Sequence, residues 1–184
     1  MNAQLTEGWP STAKAAVQAT TDKYGPPDEA SPSVLIWHHR APWKRVVVSR
    51  AMVPHRFPHA HVDVVRHVVD HPVPMDRIAD LARFSGSVVY DRTRGELSAH
   101  CEDEEGNILV LNLAHDVVAG GLDVEAARRR CHEAIETRNS ERRDPYLDRL
   151  AFEPGGGGAD PDEATIDGEM QDRLRRALGA DRPA

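Results

Sequence analysis

The chain has 184 residues, a formal net charge of −7 at pH 7, 40% hydrophobic residues and only 5% aromatic ones. That suffices for one domain with a core plus a tail, and the acidic balance works against nucleic acid and anionic membrane surfaces as partners. No apolar run approaches the ~18 residues a membrane helix needs, and the N-terminus shows no basic-then-apolar leader, so the expected location is the cytoplasm.

Ser11 or Thr12 can cap a first helix running to about Tyr24. Its small face is Ala13, Ala16, Val17 and Thr20, and Gly25-Pro26-Pro27 stops it. Val34 to Trp37 reads as a short strand, residues 39–42 as its turn, and Trp43 to Arg50 as the returning strand. Pro54, Pro58 and the histidines between and after them predict an irregular connection, followed by a short helix over residues 59–66. Residues 68–73 fit a strand by the alternation of Val69, His71 and Val73, but Val62, Val65 and Val69 also fit a helix. Met75 to Phe84 is a helix with Ile78, Leu81 and Ala82 inward. Residues 87–92 and 96–102 form a hairpin around Thr93-Arg94-Gly95. On its second strand Leu97, Ala99 and Cys101 share one face, and Ser98 and His100 the other.

The stretch from Asp103 to Val118 is the one the others must cover. Ile108, Leu109, Val110, Leu111 and Leu113 leave the helix almost no polar side, which predicts burial between layers over about residues 103–119. Gly120-Gly121 ends it, and Asp123 caps an amphipathic helix with Val124, Ala127, Cys131 and Ile135 inward. Beyond the charged run 138–143 and the mixed segment 145–152, Gly155 to Gly158 reads as a linker. Ile166, Met170, Leu174 and Leu178 then mark a last amphipathic helix. The order of elements predicts an α+β fold: a mostly antiparallel sheet of about four to five strands with helices on one face. The domain should span residues 1–152, with linker and C-terminal helix over 153–184.

Several pieces resemble an uncharacterised family of small bacterial proteins. They are KYGPPDE at residues 23–29, PWKR at 42–45, RTRGE at 92–96 and NILVLNLAHDVVAG at 107–120. The likeness spans about residues 9–137 and implies no activity, cofactor or catalytic residue. Related sequences carry Gly before PWKR, where Ala41 stands here. The helix, Gly-x-Pro and Trp-bearing hairpin are also similar to small outer-membrane assembly lipoproteins, although this sequence has no lipidation signal.

Three groups can carry chemistry. Seven of the ten histidines fall between His38 and His71. Among them His55, His59 and His61, with Asp63, offer three imidazoles and a carboxylate to zinc or another divalent transition metal. They converge only if the chain bends between His55 and His59; otherwise they form a histidine-rich surface loop. Asn112, His115 and Asp116 lie on neighbouring turns of the buried helix and are candidates for acid–base work or small-ligand binding. The alternative is that Asn107 and Asn112 satisfy backbone groups while His115 and Asp116 reach solvent. Cys101 and Cys131, both core-facing, read as inert small hydrophobes that can lie near each other. No zincin, phosphate loop or nucleophile elbow is present, which weighs against an enzyme. The sequence therefore favours a non-catalytic binding or accessory protein, with a protein partner on the open sheet face or the C-terminal helix. A metal-binding protein or small metalloenzyme and a small-ligand protein are the alternatives.

Overall fold

The computed structural model describes residues 5–156 and 162–179. Helix α1 (Ser11–Tyr24) stops at Gly25, whose φ of 81° suits glycine. Strands β1 (Glu29–Ala30), β2 (Val34–Arg40), β3 (Trp43–His55) and β4 (His61–Asp70) follow. Next come a 3₁₀ turn at Met75–Arg77, helix α2 (Ile78–Phe84), β5 (Val88–Asp91) and β6 (Glu96–Cys101). The helical hairpin is α3 (Glu104–Ala119) and α4 (Val124–Glu136), and α5 (Gly168–Leu178) ends the described chain. The fold is α+β, as the order of elements predicts.

All strands join one six-stranded antiparallel sheet, ordered β1-β2-β3-β4-β6-β5. The strand beyond the expected five is the two-residue β1. Register places Leu35 opposite Val48, Val48 opposite Val65 and Val65 opposite Cys101. Trp37, Val46, His67 and Ala99 form the next such row. Helices α1 and α3 pack against the sheet on the face these rows share.

Residues 59–66 are not a helix. They enter β4, which continues to Asp70 and resolves the ambiguity over Val69 in favour of a strand. The physical reason is position: β4 lies inside the sheet, buried on both faces, so valines occupy both sides and mask the period of two. Strand β3 also runs past its expected end at Arg50 to His55. Between Val48 and Val53 it takes five steps while β4 takes two, from Val65 to Asp63, so β3 bulges there. Beyond the bulge the pair continues as an arm that ends at His55 opposite His61. Phe57 fastens the tip of the arm. Its ring meets Phe84 edge-on at 6.0 Å, and the Arg128 guanidinium lies 3.9 Å above it.

Helix α3 is buried continuously from Gly106 to Ala114. Asp103 caps it by accepting from the Gly106 amide, and Gly120 closes it at φ 77°. At its first turn Glu104 accepts from the Trp43 indole at 2.7 Å and from Lys23 at 2.9 Å, and also from the Tyr24 hydroxyl. That network ties α1 and the start of β3 to α3. Deeper in, Asn107 donates its amide to the Val65 carbonyl and to Nδ1 of His67, both at 2.9 Å.

Leu111 is fully buried, so Leu111→Ala should cost about 2–5 kcal/mol in urea melts. A loss below roughly 0.5 kcal/mol would be a surface value and would contradict the burial.

His67 is 1% exposed. Burial, opposed by the more distant Glu104 carboxylate, lowers it from 6.5 to about 4. The unfolded chain therefore binds a proton that the folded one refuses. The neutral ring's contribution is intact above pH ~6.5 and is lost as pH falls toward 4. The gap corresponds to ~3 kcal/mol. Stability measured from pH 7 to 4 should fall more steeply in the wild type than in His67→Leu, and parallel curves would contradict the assignment.

Candidate metal centre

The β3–β4 arm brings two of the three predicted histidines together. His55 and His61 are cross-strand partners, and Val53–Asp63 is the next pair on that face. Ring nitrogens of His55 and His61 and a carboxylate oxygen of Asp63 lie within 4.8 Å of one another, so this group can hold a metal ion. His59 is exposed in the connection between the strands and is not part of the group. It contributes its backbone carbonyl, which accepts from His61 Nδ1 at 2.9 Å. A carbonyl can only accept, so the proton of a neutral His61 sits on Nδ1 and the lone pair is on Nε2.

Nε2 faces Asp63. Nε2 is 3.2 Å from Asp63 Oδ1, and His55 Nδ1 is 3.8 Å from the same oxygen. Asp63 is only 7% exposed, and Oδ1 has no hydrogen-bond partner. Its other oxygen accepts from the Ser87 hydroxyl, whose oxygen lies 3.0 Å from His55 Nδ1. In a tetrahedral zinc site, metal–ligand lengths of about 2.0–2.2 Å put nitrogen and oxygen ligands ~3.3–3.4 Å apart. The His61–Asp63 separation is close to that edge.

Three further groups border the cluster. Cys101 Sγ is 3.7 Å from His61 Nε2. Cys131, on α4, is fully buried; burial and then the neighbouring Cys101 push its thiol up to about 12, which makes it inert. Arg138 holds Asp103 at 2.6 Å and Glu105 at 2.9 Å. Together they line a pocket of about 40 Å³, room for an ion and a water or two.

The electrostatics suit a cation. Asp63, then Cys101, raise the His61 imidazole to about 10 against the effect of its own burial. Burial works to raise the Asp63 carboxyl, but His61 and Ser87 outweigh it and hold it below its ordinary value. Burial lowers His55, against the attraction of Asp63.

The second predicted cluster does not converge. The Asn112 amide donates to the Tyr146 and Arg149 carbonyls, and its oxygen accepts from the Ala151 amide at 2.7 Å. It clasps the segment after α4, with both amide hydrogens and one acceptor position engaged. Nδ1 of His115 lies 2.9 Å from Nε2 of His71, and the His115 ring stacks on Phe152 at 4.6 Å. Asp116 accepts from the Tyr146 hydroxyl at 3.1 Å, with Arg130 at 3.7 Å.

Sequence reasoning missed Ser87 and the approach of Cys101 to His61. The Leu97-Ala99-Cys101 face was a usable signal, since it already turned Cys101 inward. No family model, curated protein or solved structure matches this chain. Among the described residues no helix is long and apolar enough to cross a membrane.

Asn112→Ala leaves buried backbone groups without partners and should cost about 1–3 kcal/mol while leaving metal affinity unchanged. Both are measurable, by chemical melts and by metal titration. A change in affinity without a loss of stability would return Asn112 to the list of ligand-binding residues.

Proposed function

We propose that the protein binds a divalent transition metal through His55, His61 and Asp63, with zinc the best-suited ion. Imidazole and carboxylate donors suit zinc, and hard ions such as magnesium prefer all-oxygen octahedra. One observation carries the reading: a single buried oxygen, Asp63 Oδ1, lies 3.2 Å from His61 Nε2 and 3.8 Å from His55 Nδ1. Two electron-rich atoms this close in a dry pocket repel each other unless a proton or a cation lies between them. The pocket size argues against an organic ligand, for which 300 Å³ or more is usual.

The ion would clamp β3 and β4 to each other along the arm. Ser87 supports the site from behind by orienting Asp63, and the His59 carbonyl orients His61.

A protein-partner role is the second reading, and α5 favours it. Ile166, Met170, Leu174 and Leu178 form a stripe that is 40–77% exposed. The stripe shares no residue with the metal group, so the two roles are separable.

Isothermal titration of untagged protein with zinc at pH 7.5 tests the metal reading. His61→Ala and Asp63→Asn should each lose about 100-fold or more in affinity, since even supporting partners are worth 10–100-fold. His59→Ala should bind like the wild type. No zinc binding by the wild type, or equal binding by all four proteins, would end it.

A further inference from the structure

We infer that Cys101 supplies a fourth, thiolate ligand and closes the site as two histidines, one aspartate and one cysteine. The inference rests on the metal reading above and extends it from three donors to four.

The sulfur already touches one member of the cluster, 3.7 Å from His61 Nε2. With zinc–sulfur and zinc–nitrogen lengths of about 2.3 and 2.0–2.1 Å, a tetrahedral edge between them is ~3.5–3.6 Å. Register explains the placement. Cys101 lies opposite Val65 on β4, and Asp63 lies two residues before Val65 on the same face. Cys101 stands outside the 4.8 Å group as placed, so the fourth bond requires a turn about its Cα–Cβ bond toward Asp63.

The chain makes room for this sulfur. A Cβ at Gly106 would lie 2.5 Å from Cys101 Sγ, closer than real atoms approach. Glycine inside a helix costs roughly 1 kcal/mol against alanine, and here it falls in the first turn of the most buried helix. Charge also balances: one carboxylate and one thiolate neutralise a divalent cation in a nearly closed pocket. Cys131 lines the same pocket but is fully buried beneath it on α4, so it serves as the internal control.

Cobalt(II) titration of the full-length protein reads both donors and geometry. The wild type and Cys131→Ser should show an intense near-ultraviolet thiolate-to-cobalt charge-transfer band beside the visible d–d bands of a tetrahedral ion. Cys101→Ser and Cys101→Ala should lose the charge-transfer band, keep d–d absorption at higher cobalt, and bind about 10-fold or more weakly. Visible bands in the wild type without a charge-transfer band would overturn the Cys101 assignment and leave the three-donor site standing. Persistence of the band in both Cys101 variants would do the same. Absence of any cobalt spectrum in the wild type would overturn the three-donor site as well.

Discussion

Helix α3 has no side that tolerates water, and the arrangement of the molecule follows from enclosing it. Its apolar residues from Ile108 to Leu113 are buried all round, so the sheet must cover one side, and α2, α4 and the turn at Pro145–Leu147 the others. Enclosure imposes a second demand, because the helix also carries Asn107 and Asn112 inside. A buried amide without partners costs more than its bonds return. Asn107 therefore bonds to β4, and Asn112 clasps the segment that closes the far side. The polar residues on α3 thus fix the depth and register at which the neighbouring layers dock.

The candidate metal centre arises where that enclosure ends. At the first turn of α3 the covering sheet continues as the β3–β4 arm, and the arm brings His55 and His61 to the helix start with Asp63 beside them. A helix N-terminus, a cross-strand pair and the loop before β5 meet there, and each contributes a different chemical type. The arm brings imidazoles and a carboxylate, β6 a thiol, and the loop a hydroxyl. Strands supply the imidazoles, the carboxylate and the thiol, so the fold sets the geometry of those donors.

How much of this the sequence disclosed depends on whether each feature is local. The buried helix, its Asp103 and Asp123 caps, its glycine stop and the β5–β6 hairpin follow from neighbours within a few residues, and all are legible. The β3–β4 arm is not. Its signature is a bulge of β3 against β4, and pairing register leaves no trace in one strand read alone. Proline and histidine between residues 54 and 61 look like a loop, and a centrally placed valine-rich strand looks as much helical as extended. The same gap explains the ligand set. His55, His59 and His61 are close in sequence, but cross-strand pairing selects His55 with His61 and leaves His59 in the turn. Ser87 and Cys101 arrive from 24 or more residues beyond Asp63, where no spacing rule reaches.

The two buried polar clusters invite opposite conclusions although burial alone cannot distinguish them. Asn112 and Asp63 are both nearly inaccessible. Both amide hydrogens and the oxygen of Asn112 meet backbone groups of matching polarity, so its bonds are made within the protein. At Asp63 one oxygen is matched by Ser87, while the other faces two imidazole nitrogens and needs a proton or a cation between. Low dielectric strengthens both outcomes: it rigidifies the satisfied amide and makes the unsatisfied carboxylate costly. A cation relieves that cost at three donors simultaneously, whereas a proton relieves it at one contact only. The difference in what remains unpaired, more than residue type or depth, separates a structural clasp from a binding site in this fold.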